Sequence, residues 1–106
     1  MNVEGLEAFV DEGIRRSKAK GYHPNEFERM RARWTTKEAI RRLVVSGDIQ
    51  SGFKRMKELD LLDWSLEAAV LKFPGEFNRE AREAAQWRLE QARGTPGQAR
   101  AELRHP

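Results

Sequence analysis

The sequence predicts an all-α fold, a compact single-domain bundle of five to six short helices. Two observations predict it. Apolar residues recur at three- and four-residue spacing along most of the chain, which is typical of helices that bury one face. No segment shows the sustained alternation of apolar and polar residues, rich in β-branched side chains, that is typical of a strand. A chain of 106 residues is also of the size expected for one domain.

The first predicted helix has an apolar stripe and a clear stop. Its acidic residues lie in the early turns and its basic residues near the end, which is the order that the helix dipole favours. Gly21 is the expected left-handed residue at its C-terminal end. The apolar stripe consists of Val3, Leu6, Val10 and Ile14, and Phe9 lies alongside it.

The second and third predicted helices each begin with a capping box. Asn25 precedes Glu28 by three residues, and Thr35 precedes Glu38 by the same interval. Each pair can therefore satisfy free N–H groups in a first helical turn. Ser46-Gly47-Asp48 ends the third helix. The residues expected to face inward are Phe27, Met30 and Trp34 in the second helix and Ala39, Ile40, Leu43 and Val44 in the third.

A fourth and a fifth helix follow. The fourth begins near Asp48 or Ser51, and the fifth is capped by Asp63 or Ser65. Pro74-Gly75 stops the fifth helix. The inward residues are Phe53, Met56 and Leu59 in the fourth helix and Leu66, Val70 and Phe73 in the fifth.

The sixth predicted helix begins after Asn78 and ends near Arg93, because Gly94-Thr95-Pro96-Gly97 breaks it. We therefore place one helical domain at residues 1–93 and a flexible C-terminal tail at 94–106. The inward stripe of the sixth helix is Ala81, Ala85, Leu89 and Ala92. The aromatic residues expected in the core are Phe9, Phe27, Trp34, Phe53, Phe73 and Phe77.

Composition argues against several classes of protein. The chain has no cysteine, so it has no disulfide framework and no thiolate zinc site. No apolar run approaches the ~20 residues that span a bilayer, and the N-terminus lacks the features of a signal peptide, so we expect a cytoplasmic protein without membrane contact.

Catalytic chemistry has little support in the sequence. His23 lies in a predicted turn and His105 lies next to the C-terminus, neither with an obvious orienting partner. Asp60, Asp63 and Glu67 could cluster at one helix start, but first-turn acids are better explained by capping and the helix dipole. No phosphate-binding loop or metal-ligand spacing is present. We therefore expect no catalytic residue, no metal and no cofactor, and a protein that is not an enzyme.

Charge is strongly segregated along the chain. Residues 1–14 carry a net charge of −4, residues 15–42 carry +7, and residues 43–106 are balanced, which together give the net charge of +3. A concentrated basic block is typical of surfaces that bind polyanions, because neutralised phosphates release counterions. The alternative interpretation is a solvated helical face.

The region 35–59 is predicted to form a helix, a short glycine-containing turn and a second helix, which is the order of elements in a helix-turn-helix. Its second helix would present polar and basic side chains to DNA, and its first helix would contact the phosphate backbone. Basic residues one turn apart in the preceding helix could join them. The candidate nucleic-acid-binding residues are Arg29, Arg33, Lys37, Arg41, Gln50, Ser51, Lys54 and Arg55.

Two observations keep other interpretations open. Glu38 precedes Arg42 by four residues, which is a favourable intrahelical pair that needs no ligand. Two helices joined by a short turn are also common in proteins that do not bind DNA. Trp87 lies off the inward stripe of the sixth helix. It could cover the edge of the bundle or anchor a protein partner.

A set of motifs in the middle of the chain resembles a small uncharacterised bacterial all-helical module. The motifs are Gly21-Tyr22-x-Pro24-x-x-Phe27-x-x-Met30, Ala39-x-x-x-Leu43, Gln50-Ser51-Gly52-Phe53, Leu62-Asp63-x-Ser65-Leu66-Glu67 and Arg88-Leu89. Such modules stand alone or lie at the C-terminal ends of larger proteins, some of them nuclease-like. The resemblance covers residues 21–90. It implies the fold and favours a role close to DNA, but it implies no catalytic residue.

The sequence therefore predicts a non-catalytic, bacterial nucleic-acid-binding module that acts through a basic face. The alternative is a protein-interaction or scaffold domain that docks on an acidic surface of a larger partner enzyme through Trp87 or the first helix. A self-associating domain, such as a homodimer, is the third option.

Overall fold

The computed structural model describes residues 5–46 and 51–93, and every regular element in these ranges is helical. The all-α fold and the six helices are confirmed. They are α1 (Leu6–Ala19), α2 (Asn25–Arg33), α3 (Thr36–Val44), α4 (Ser51–Glu58), α5 (Leu66–Lys72) and α6 (Arg79–Arg93), with short 3₁₀ turns at Leu62–Trp64 and Pro74–Glu76. Val3, Asp48 and the predicted tail at 94–106 lie outside the described residues.

Three helices begin with the predicted side-chain caps. The hydroxyl of Thr35 accepts a hydrogen bond from the backbone N–H of Glu38 (3.1 Å). The hydroxyl of Ser65 accepts one from the third residue of α5 (3.1 Å), so Ser65 rather than Asp63 caps that helix. The carboxamide oxygen of Asn78 caps α6 in the same way (2.9 Å). Each bond satisfies an N–H group that the helix itself cannot.

The predicted cap at Asn25 is wrong. α2 begins one residue earlier than the capping-box pattern indicates, with Pro24 in the cap position and no side-chain cap bond. Pro24 has φ near −78°, close to the helical value that its ring imposes, so Asn25 already lies inside the first turn. The expected stop at Gly21 is confirmed by its φ of +88°, a left-handed conformation that glycine adopts without steric cost.

The core lies where α1, α3, α5 and α6 meet. Ile40, Val44 and Val70 are completely buried at its centre. Ala81 and Ala85 are also fully buried, and their small side chains let α6 pack closely against α3 and α5. Helices of seven to fifteen residues are marginally stable in isolation, so this shared burial holds them.

Two tryptophans depart from the expected core. Trp34 was expected to face inward, but it is 36% exposed because α2 ends at Arg33 and the chain turns outward before α3. Trp64, which was not expected in the core, is partly buried and packs against it. Its ring stacks on Phe9 with 4.8 Å between centroids, and the guanidinium of Arg16 lies 4.3 Å from its centroid.

The predicted helix-turn-helix at 35–59 lacks support from the packing of the described residues. α3 packs mainly against α2, α5 and α6, whereas α4 packs mainly against the turn at Leu62–Trp64. A helix-turn-helix unit requires its two helices to pack against each other across a short turn. The arrangement therefore stays a prediction. No helix in the described ranges has the length and apolar character needed to cross a membrane.

Candidate functional site

Three of the eight predicted nucleic-acid-binding side chains form ion pairs with carboxylates. The pairs are Lys37–Glu76 (3.2 Å), Arg41–Glu38 (2.7 Å) and Arg55–Glu58 (3.0 Å). The hydrogen bond from Arg41 lowers the pKa of Glu38, so this carboxylate stays ionised and offsets the positive charge beside it. These residues therefore contribute less positive potential than the sequence indicates.

The predicted residues that begin α4 are described only in part. Lys54 is exposed on α4, and Ser51 is the first residue of that helix. Nothing is described of the Ser51 side chain, and Gln50 lies outside the described residues.

Arg29 and Arg33 do share a surface. Both line a shallow groove along α2, together with Met30 and the exposed ring of Trp34. The guanidinium carbon of Arg33 lies 5.1 Å from the centroid of the Trp34 ring. From α3, the guanidinium carbon of Arg42 approaches the same ring to 4.1 Å. We call these four residues the Trp34 surface: Arg29, Arg33, Trp34 and Arg42.

The junction between α2 and α3 produces this arrangement. The backbone N–H of Trp34 donates to the carbonyl of Met30 and closes the last turn of α2. Thr35 then caps α3 immediately, so the chain reverses beside the tryptophan ring. Because α2 and α3 pack against each other, a residue on α3 reaches the aromatic ring at the end of α2.

The Trp34 surface is positive overall. Its three guanidinium groups face two nearby carboxylates, those of Glu26, which lines the groove, and Glu38, which accepts a bond from Arg42 at 2.8 Å. Glu38 is shared with Arg41, so it does not fully neutralise Arg42. Guanidinium groups over an aromatic face combine charge with a flat apolar surface, which suits both phosphates and bases.

Trp87 is the most exposed large hydrophobic side chain among the described residues, at 55%. It lies on the outer face of α6, opposite the buried stripe. Glu83 and Glu90 lie one helical turn from it on either side, where they pair with Arg79 and Gln86 respectively. Trp87 therefore has a carboxylate one turn away on either side, on a helix that contributes no residue to the Trp34 surface.

A buried ion pair was not predicted. Nη1 of Arg88 lies 3.0 Å from Oε2 of Glu67, and both side chains are 4% exposed. Arg88 also donates to the carbonyls of Leu43 (3.0 Å) and Ser46 (2.8 Å), which links α6 to the end of α3. Burial raises the pKa of Glu67, and the hydrogen bond from Arg88 opposes that rise. The pair fastens three helices together, which is a structural role.

Two of the three carboxylates considered as metal ligands, Asp63 and Glu67, form ion pairs with arginines. Glu67 pairs with Arg88, and Asp63 pairs with Arg93 at 2.8 Å. In the part of the chain that the structure describes, no three His, Cys, Asp or Glu side chains are placed to hold a metal ion. His23 is exposed in the turn before α2, and His105 lies outside the described residues.

The sequence contains a signal for the buried ion pair of Arg88 but none for the exposure of Trp34. Arg88 falls on the same helical face as Ala85 and Leu89, and a charged residue on an apolar stripe indicates a buried partner. The exposure of Trp34 had no such signal, since it depends on the path of the chain between two helices.

Comparison with protein-family models, with curated proteins and with solved structures finds no match to this chain.

Proposed function

We propose that this chain is a non-catalytic nucleic-acid-binding module and that the Trp34 surface is its contact face. One observation carries the proposal: an exposed tryptophan ring that two arginines flank, one from each of two packed helices. The ring of a buried core residue would not be accessible to a ligand. A charged surface that is only solvated by water has no use for an exposed aromatic ring.

The chemistry of the surface fits single-stranded nucleic acid best. Unpaired bases can stack on an aromatic ring, and arginines along the same groove can neutralise the neighbouring phosphates. Bases within a duplex are stacked on one another and do not offer a face to Trp34. Arg29, Arg33 and Arg42 supply the charge, and the ring of Trp34 supplies the stacking surface.

The experiment is a fluorescence anisotropy titration of a labelled single-stranded oligonucleotide and of the matching duplex. Three neutralised phosphates predict a logarithmic salt slope of about −2 for a single strand, which is a roughly 20-fold loss of affinity between 50 and 200 mM salt. We expect the single strand to bind more tightly than the duplex.

Matched variants locate the contact. Trp34→Ala removes the stacking surface and lowers affinity, whereas Trp87→Ala makes the same change at a distant exposed tryptophan and leaves affinity unchanged. Arg42→Gln lowers affinity and reduces the salt slope. Arg79→Gln is its control, since Arg79 also pairs with a glutamate four residues away. Absence of salt-sensitive binding to either nucleic acid would refute the proposal.

A second candidate function is protein docking, favoured by the exposure of Trp87. The partner would be a larger protein, and since Glu83 and Glu90 flank the ring, its complementary surface would be basic. This differs from the acidic partner surface that the basic block of the sequence favours. The discriminating experiment is a pull-down after nuclease treatment. A partner retained by Trp34→Ala and lost with Trp87→Ala supports docking, and loss of all partners on nuclease treatment contradicts it.

A further inference from the structure

We propose that a cavity between α1, α4 and α5 is a binding site for a small aromatic molecule that carries one neutral hydrogen-bonding group. The cavity has a volume of about 250 Å³. The exposed residues His23, Asn25 and Glu26 are part of its lining, so it reaches the surface beside them. This site is independent of the nucleic-acid contact proposed for the Trp34 surface.

The volume limits the size of the ligand. Interiors of small domains rarely contain voids larger than a water molecule, and this cavity is larger and opens to the surface. A cavity of ~150 Å³ lined by apolar side chains accommodates benzene. A space of about 250 Å³ therefore suits a ligand with two fused rings.

The walls favour an aromatic ligand. Phe9, Phe27, Phe53 and Trp64 all contribute to the lining, and the thioether of Met56 lies among them. Phe9 and Trp64 already stack on each other at 4.8 Å between centroids, so the two rings are fixed in position. Aromatic rings pack favourably on the edges and faces of other rings and beside sulfur.

Tyr22 supplies a hydrogen-bonding group at this cavity. Gly52 faces its hydroxyl so closely that a Cβ at position 52 would lie 2.7 Å from the oxygen. Glycine at position 52 thus leaves room for the Tyr22 hydroxyl, which forms no hydrogen bond within residues 5–46 and 51–93. The group is free to donate to a ligand or to accept from it.

The charges around the cavity favour a neutral ligand. Burial and the nearby carboxylate of Glu26 raise the pKa of Tyr22, so its hydroxyl keeps its proton at neutral pH. Glu67, which also contributes to the lining, already has its carboxylate bound by Arg88. Among the described lining residues, the carboxylates of Glu26 and Glu67 would repel an anionic ligand, and Arg55, a cation close enough to lower the pKa of Tyr22, is paired with Glu58.

The test uses 2-naphthol, naphthalene and 2-naphthoate as probes in an NMR titration of the full chain. We expect 2-naphthol to shift the indole N–H resonance of Trp64 in a saturable manner. The resonances of Trp34 and Trp87 serve as internal controls, since neither residue lines the cavity. 2-Naphthoate should bind more weakly, because it carries a negative charge.

Variants separate the cavity from the rest of the surface. Leu66→Phe fills the cavity and should weaken 2-naphthol binding about tenfold or more, whereas Leu71→Phe makes the same change at an exposed position on the same helix and should have no effect. Tyr22→Phe should weaken 2-naphthol roughly two- to tenfold and leave naphthalene unchanged. If Leu66→Phe fails to fold by circular dichroism, Ile14→Phe fills the cavity from α1 instead.

Three results would overturn the proposal. The first is the lack of a saturable shift at Trp64 up to the solubility limit of the probes. The second is a larger shift at Trp34, which would place the probe on the basic surface. The third is unchanged affinity in a folded cavity-filling variant. Equal weakening of both probes by Tyr22→Phe would overturn the hydrogen bond assigned to Tyr22.

Discussion

Arg88 and Glu67 form an ion pair inside the core, with 3.0 Å between Nη1 and Oε2 and 4% of each side chain exposed. They are 21 residues apart in sequence. Desolvation of two charges costs several kcal/mol, so such a pair is tolerated only when its geometry is good and its remaining donors are satisfied. The carbonyls of Leu43 and Ser46 satisfy further donors of Arg88. The pair therefore binds α5, α6 and the end of α3 as one unit.

Loss of both partners should cost less than the sum of their separate losses. Arg88→Met leaves the Glu67 carboxylate buried without a cation, and we expect a loss of about 3–5 kcal/mol in the free energy of unfolding. Glu67→Gln should cost less, because an amide oxygen still accepts from Arg88. The double variant should cost less than the sum of the two. Urea unfolding followed by circular dichroism measures each value. A cost below about 1 kcal/mol for Arg88→Met would show that the pair is not buried in solution.

The cost of Arg88→Met should also depend on pH. Burial raises the pKa of Glu67, and removal of Arg88 removes the interaction that opposes that rise. Below the ordinary pKa of 4.5, Glu67 is protonated in both the folded and the unfolded state, so its ionisation does not lower the free energy of unfolding. As pH rises above that value the unfolded state ionises first, and stability falls until the raised folded pKa is passed. Unfolding measured at pH 4 and pH 7 should therefore give a smaller penalty at pH 4, and an equal penalty at both would contradict this.

Glu7 should behave in the opposite way. Its Oε1 accepts hydrogen bonds from Arg31 (2.6 Å) and Thr36 (2.7 Å), which join α1 to α2 and α3 and lower its pKa. A lowered pKa contributes stability above the unfolded value of 4.5 and loses it as pH falls through the folded pKa. The side chain is 66% exposed, so we expect Glu7→Gln to cost no more than about 1 kcal/mol at pH 7 and less near pH 3, which lies below the unfolded value of 4.5.

Glu83→Gln is the control for Glu7→Gln. Glu83 pairs with Arg79 within one helix and is 65% exposed, so it has similar solvent screening but joins no separate elements. Its loss should cost only a few tenths of a kcal/mol. Thermal unfolding of both variants at the two pH values measures the difference. A larger effect for Glu83→Gln would mean that the contacts of Glu7 do not hold the helices together.

Two capping positions provide a direct comparison. Thr35→Ala removes the hydroxyl that accepts from the N–H of Glu38, and we expect a loss of about 1 kcal/mol. Asn25→Ala should cost much less, because the Asn25 side chain makes no cap bond in α2. Chemical denaturation of the two variants under one set of conditions tests the pair. Equal costs would restore the capping role that the sequence predicts for Asn25.

The helices were predictable because their signals are local. Apolar spacing and capping residues act within one or two turns, and they located all six helices and the caps at Thr35, Ser65 and Asn78. Pairings across the fold were not predictable in this way. The pair Lys37–Glu76 joins residues far apart in the sequence, so the carboxylate that offsets this lysine could not be inferred from the basic block. The grouping of Trp34 with Arg42 likewise depends on the angle between two helices.

The three tryptophans should respond differently to alanine. Trp64 stacks on Phe9 and contacts Arg16, and its backbone carbonyl lies so close to Gly13 that a Cβ there would be 2.9 Å away. Its ring is only partly buried, so we expect Trp64→Ala to cost about 2–3 kcal/mol, somewhat less than the ~3–5 kcal/mol of a fully buried aromatic residue. Trp34→Ala and Trp87→Ala should each cost less than about 1 kcal/mol, because both rings are exposed. Urea denaturation followed by far-ultraviolet circular dichroism compares all three without relying on tryptophan fluorescence. A cost for Trp34→Ala as large as that for Trp64→Ala would mean that Trp34 belongs to the core, and the surface proposed to bind nucleic acid would lose its aromatic ring.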